Sequence, residues 1–213
     1  MRLTTLHKIS PTDRPLEFIG ERGERLILNV IQQNIIRVRL YPDGTSRLDR
    51  TWMVGANGEF PREGLHRDAI PTLPASAYKV EQTAETVMIE TKLLRVVIHL
   101  DDLRLEWFTA NGQRIAADLR GRAYTYDRAS RTIYHYHERH PDEHYYGFGE
   151  TSGPLDKRGR RITLKPVDAL GYNAETGDPL YKHWPFYITE RRDLGLYYGL
   201  FYDNLATTTF DMG

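Results

Sequence analysis

Four histidines, His135, His137, His140 and His144, cluster in one short stretch of the chain. In an extended segment residues two apart share a face, so His135 and His137 present two imidazoles side by side, the beginning of a zinc site. No carboxylate or third histidine stands at a spacing that completes a metal geometry. A half-exposed polar strand face is therefore the expected role, and no metal is expected. The pair Gly147 and Gly149 in Tyr146-Gly147-Phe148-Gly149-Glu150 lacks the third glycine and the following helix that would cradle a phosphate. It reads instead as a strand end where small residues permit positive φ or close backbone approach, with Glu150 as a structural partner for a loop. Ser152 is preceded by no Gly-x-Ser-x-Gly elbow and has no recognisable base. The chain has no cysteine, which removes disulfides, thiolate catalysis and zinc–cysteine sites together.

A different chemistry gathers further along. Asp156, Asp168 and Asp178 lie among Tyr172, Tyr181, Trp184 and Phe186, a mixture suited to carbohydrate: carboxylates accept hydroxyl hydrogen bonds and flat rings stack on sugar C–H surfaces. The aromatics suit the edge of a core equally well. Trp52 and Trp107 read as core or lid packing.

The elements that must position these residues are strands. Apolar residues recur with period two, filled by β-branched and aromatic types. Segments 24–32 and 35–41 form a hairpin through Gln33-Asn34. Further strands are expected over 78–81, 86–90, 94–100 and 103–108, the last closed by the Asn111-Gly112 turn. Others follow over 131–138, 145–148, 185–189, 196–202 and 206–211. No amphipathic helix of length stands out. Regular short strands imply an all-β fold, a two-sheet antiparallel β-sandwich, read as a single domain over 1–213. Pro42 to Pro74 is a long surface connection, and a second irregular stretch, 151–183, is a long loop of the kind that carries function.

Lys+Arg and Asp+Glu both number 29. Nothing in that balance attracts a phosphate backbone or an anionic lipid surface, so neither nucleic acid nor membrane is an expected partner. The N-terminus, Met1 to Lys8, has no apolar run of signal-peptide length, and no later run approaches a membrane span. With no cysteine as well, a cytoplasmic location is expected. The chain stops directly after a strand, at Asp211-Met212-Gly213, which suggests a piece of a longer protein.

One ordered series of motifs is more specific than any of its parts. It comprises His144-Tyr145-Tyr146-Gly147-Phe148-Gly149-Glu150, Thr163-Leu164-Lys165-Pro166-Val167-Asp168-Ala169, Asp178-Pro179-Leu180-Tyr181-Lys182-His183-Trp184-Pro185-Phe186-Tyr187-Ile188 and Tyr198-Gly199-Leu200-Phe201-Tyr202-Asp203-Asn204. The series resembles the N-terminal β-sandwich of glycoside hydrolase family 31, which includes α-glucosidases and α-xylosidases. The match is densest over 144–204. The resemblance implies a galactose-mutarotase-like sandwich preceding a (β/α)₈ barrel, in which two aspartates perform a retaining double displacement. The nucleophile signature Trp-x-Asp-Met-Asn-Glu is absent, since Asp211-Met212 lacks its flanking residues. No catalytic residue and no barrel are therefore expected in this chain, and no cofactor.

What the resemblance implies here is a loop leaning over the barrel mouth. Asp168 matches an aspartate that contacts substrate near the scissile bond, and Leu170 and Tyr172 would border the leaving-group subsite as an apolar wall. The implied partners are an α-linked glucose oligosaccharide or α-xyloside and the family's own barrel. An uncovered barrel-facing surface would leave apolar area exposed and favour self-association into a homo-oligomer. Two other readings are a free-standing carbohydrate-binding module and, more weakly, a mutarotase-type epimerase using His137 or His144 with Glu150 as acid and base.

Overall fold

A computed structural model describes residues 6–9, 15–46, 48–177 and 179–213. Residues 1–5 and Asp178, which entered the readings of the N-terminus and of the carboxylate cluster, lie outside the described residues. Contacts divide the chain into two compact units, Met1–Glu138 and Arg139–Gly213.

The first unit carries strands β1 (Leu6–Ile9), β2 (Leu16–Gly20), β3 (Arg25–Gln32), β4 (Ile35–Tyr41), β5 (Arg50–Thr51), β6 (Leu65–His66), β7 (Lys79–Gln82), β8 (Thr86–Glu90), β9 (Leu94–His99), β10 (Leu105–Thr109), β11 (Arg114–Ala117), β12 (Tyr124–Asp127) and β13 (Thr132–His135). Two antiparallel sheets dominate it, ordered β1-β2-β3-β4 and β11-β10-β9-β8-β7. Each contributes its inward-facing residues to one core. Leu16, Phe18, Leu26, Leu28 and Val30 come from the first sheet and Val87, Ile89, Val96, Ile98 and Leu105 from the second. This is the expected sandwich, held mainly by burial at about 1.5–3 kcal/mol per large apolar side chain. The β3–β4 hairpin turns at Gln33-Asn34 as expected, with a register shift between Val30 and Gln32.

The second unit contains β14 (Glu143–Gly147), β15 (Arg161–Leu164), β16 (Phe186–Arg191), β17 (Leu196–Phe201) and β18 (Thr208–Asp211). They form a three-stranded sheet, β14-β16-β17, and a two-stranded one, β15-β18. Their core is largely aromatic: Tyr145, Phe148, Tyr187 and Phe210 with Ile162, Leu164 and Met212.

Both stretches read as irregular are partly ordered. Within 42–74, β5 pairs with β6, and Thr51 and Ile70 are buried. The Leu73 amide donates to the Val30 carbonyl at 2.8 Å, which ties the connection to β3. Within 151–183, β15 pairs in register with β18 and buries Ile162 and Leu164. Four residues are too few for a period to stand out, and the partner that justifies them lies far along the chain. The strand expected from Leu103 starts only at Leu105, because Leu103 sits in a turn at φ 58° with its side chain buried.

Candidate functional site

The Tyr146-to-Glu150 motif is an element of construction. Gly147, Phe148 and Gly149 all have positive φ, at 127°, 66° and 65°. This left-handed path ends β14 and turns Phe148 fully inward, stacked on Tyr187 at 5.0 Å and tilted against Phe210 at 4.9 Å. The Phe148 amide donates to the Phe186 carbonyl at 2.8 Å, and a Cβ on Gly149 would stand 2.9 Å from the Trp184 Cβ. Glu150 pairs with Lys182 at 2.8 Å, and the His183 Nε2 donates to the Asn204 carbonyl at 3.0 Å. All four sequence motifs meet in one place, since Leu164 of the second and Leu200 and Tyr202 of the fourth pack in the same core as Tyr145, Phe148 and Tyr187. Ser152 is buried and its carbonyl accepts from the Lys157 ammonium at 3.0 Å, so its neighbourhood holds the backbone together.

Asp168 follows β15 on an exposed loop. The Tyr181 hydroxyl donates to its carboxylate, and Tyr172 meets the Tyr181 ring edge-on at 5.6 Å. Partial desolvation, then the Asp168 charge, raises the Tyr181 phenol above its ordinary range. Leu170 is 81% exposed and Tyr172 52%, so Leu170 presents nearly its whole side chain outward and Tyr172 about half of its own. The loop thus offers a carboxylate oriented by one phenol, with two aromatic rings and an aliphatic side chain beside it. That set can accept hydroxyl hydrogen bonds and stack on an apolar sugar face. Trp184 is 57% exposed. Trp107 packs against the first core as expected, whereas Trp52 is half-exposed and donates its indole N–H to the Arg62 carbonyl at 3.1 Å.

The four histidines separate. His144 pairs with Asp156 at 2.6 Å and His140 lies 3.7 Å from Asp193, both within the second unit. Neither His144 nor Glu150 faces the other as an acid–base pair would, since each has its own partner. In the first unit, His135 and His137 converge with a carboxylate that sequence spacing did not reveal. Asp118 Oδ1 lies 2.9 Å from His135 Nε2 and 3.5 Å from His137 Nδ1. The pairing of Asp118 with His137 across a β-bridge brings them together. Burial, then the neighbouring His135, lowers the His137 pKa to about 3, with Asp118 opposing.

A model of the glycosyl hydrolase 31 N-terminal galactose mutarotase-like domain matches residues 25–211. The chain belongs to this family. It is 28% identical over 208 residues to alpha-glucosidase 2 of Bacillus thermoamyloliquefaciens, covering 97% of this chain and 24% of that protein. A Flavobacterium johnsoniae GH31 dextranase, solved in complex with glucose, superimposes with a TM-score of 0.79 at 23% identity over 100% of this chain and 24% of its own. A GH31 alpha-xylosidase from a soil metagenome, solved with xylose, has a TM-score of 0.68 at 16% identity, covering 97% of this chain and 29% of its own. At those identities the structures show the fold. The family domain spans about a quarter of the length of the α-glucosidase and the dextranase. No helix among the described residues is long and apolar enough to cross a membrane.

Proposed function

We propose that this domain is the substrate-shaping N-terminal part of a retaining α-glycosidase, most nearly an α-glucosidase, acting on α-linked glucose oligosaccharides or α-xylosides. The observation that carries the reading is the family match over 25–211 together with the coverage of only 24% of an α-glucosidase. Chemistry then belongs to a catalytic barrel elsewhere in the longer protein, and the present chain is inactive alone. Its two units serve together as one N-terminal domain, in a protein of the cytoplasm.

Asp168 is the proposed sugar contact. Its carboxylate, held by the Tyr181 hydroxyl, accepts a charge-assisted bond from a substrate hydroxyl and so orients the glycoside for attack. Leu170 and Tyr172 border the leaving-group side and exclude water there. The test is the natural full-length protein assayed on p-nitrophenyl α-glucoside beside its Asp168→Ala variant. Turnover that falls tenfold or more in the variant supports the reading. Undiminished turnover in the variant removes Asp168 from the site. A natural gene that ends at Gly213, with sugar binding but no turnover, replaces the proposal with a free-standing carbohydrate-binding module.

A further inference from the structure

Two groups of donor atoms in the first unit lie close enough to share an ion: Asp118 with His135 and His137, and Asp49 with His66 and Asp68. The second is already engaged. Asp68 Oδ1 holds the Arg39 guanidinium at 2.6 Å, and His66 Nδ1 accepts from the Asp68 amide at 3.2 Å. Asp118, His135 and His137 are engaged as well, but with one another: His135 Nε2 and Asp118 Oδ1 are hydrogen-bonded at 2.9 Å. One buried carboxylate oxygen faces nitrogens of two imidazoles, and all three donor atoms lie within 4.8 Å of one another.

We propose that Asp118, His135 and His137 form a three-ligand binding site for a first-row divalent transition ion of the zinc type, with water as its fourth ligand. Bonds of about 2.0–2.1 Å in a tetrahedron place neighbouring donors about 3.3–3.4 Å apart. The separations from Asp118 Oδ1, 2.9 and 3.5 Å, lie on either side of that value, and the two imidazole nitrogens lie within 4.8 Å of each other, so an ion fits once the donors draw in around it. Two imidazoles and one carboxylate favour zinc, nickel or copper over calcium or magnesium, which demand oxygen.

The surroundings hold the donors in place. Asp118 Oδ2 accepts the Leu105 amide at 2.9 Å, which aims Oδ1 at the histidines. The Tyr124 ring stacks on His135 at 4.5 Å and 13°, fixing its plane, and His137 hydrogen-bonds the Ala117 backbone. A ligating histidine whose ring is oriented through such a second contact is the usual design at metal sites. Access is also present: Asp118 is only 1% exposed, but the His135 and His137 side chains are 18% and 21% exposed. An ion bound there would staple β13 and the residues after it to the chain that leaves β11. It would stabilise the fold, because ligands gathered only in the native state add binding free energy to folding.

The test uses the tag-free chain after chelator treatment, titrated with Co²⁺ and followed by the visible absorption of four-coordinate cobalt. One equivalent is expected to bind with a tetrahedral spectrum that Zn²⁺ bleaches, and Zn²⁺ is expected to raise the melting temperature. His137→Ala, at a partly exposed position where folding should survive, is expected to weaken Co²⁺ binding at least tenfold. His135→Ala should do the same, and His140→Ala should leave it unchanged. Failure to saturate at one equivalent overturns the proposal, as does equal affinity in His137→Ala and the parent. Binding lost in His66→Ala but kept in His137→Ala assigns the ion to the other cluster and overturns it equally.

Discussion

Replacing Gly147 with alanine tests whether the left-handed turn after β14 has the structural role assigned to it. The residue sits at φ 127°, and a Cβ there would stand 2.8 Å from the Phe186 carbonyl oxygen and 3.1 Å from the Tyr187 Cα. Both atoms belong to the backbone of β16, the middle strand of its sheet, which pairs with β14 at Gly147 itself. Neither can retreat without opening that ladder. A side chain forced into so sparsely populated a conformation costs about 1–3 kcal/mol, and the overpacking adds about 1–3 kcal/mol. The expected loss is about 4 kcal/mol. Gly195 provides a matched control in the same unit: its φ is 63°, and a Cβ would meet nothing within 4 Å. Gly195→Ala should cost only the conformational penalty, about 1–2 kcal/mol. In urea, with a slope of about 1–3 kcal/mol per molar, the difference separates the two midpoints by about 1 M or more. Near-ultraviolet circular dichroism follows the aromatic core of the second unit. If Gly147→Ala unfolds at the same urea concentration as Gly195→Ala, the close approach to β16 is not what glycine supplies there.

Other perturbations bear on the same framework. Glu143 is 3% exposed and accepts the Tyr145 hydroxyl at 2.8 Å, with the Arg191 guanidinium 3.9 Å away; Glu143→Gln should cost about 1.5–3 kcal/mol, the range for a charge-assisted bond, by urea titration. Burial favours the neutral acid of Asp102, yet hydrogen bonds from the Gly121 and Arg104 amides and the Arg104 guanidinium outweigh it and hold the carboxyl below its usual range. With the folded value below the unfolded one, this stabilisation is whole above about pH 3.9 and is lost as pH falls through the folded value. Asp102→Asn should therefore be less stable than the parent at neutral pH, with the gap narrowing in acid; a constant gap contradicts the linkage. Phe186, Ile188, Tyr197 and Phe201 are exposed on the β16–β17 hairpin. The Phe186→Ser, Phe201→Ser pair should shift sedimentation toward monomer at high concentration, and unchanged association excludes this face.

Much of the framework is legible in the chain alone. Alternation of apolar residues identifies β8 and β9, whose burial alternates along the strand, and the spacing of Leu26, Leu28 and Val30 identifies β3 although every residue from Leu26 to Val30 is buried. The Tyr146-to-Glu150 motif reads correctly as a place for positive φ, since only glycine on either side of Phe148 relaxes the backbone there. Short strands fare worse. In β11, β12 and β15 four residues carry too little pattern, and their partners alone make them strands.

Local periodicity and turn chemistry thus determined an all-β sandwich, and the ordered motifs determined the family. Which side chains meet was decided by tertiary structure. The distance along the chain from Asp118 to His135 is 17 residues, a separation no spacing rule anticipates, and a β-bridge closes it. Asp168 and Tyr181 likewise meet only because the loop beyond β15 folds back on itself. Periodicity acts between neighbours within a strand, whereas a site is assembled by pairing between strands, whose register depends on burial summed over the whole core.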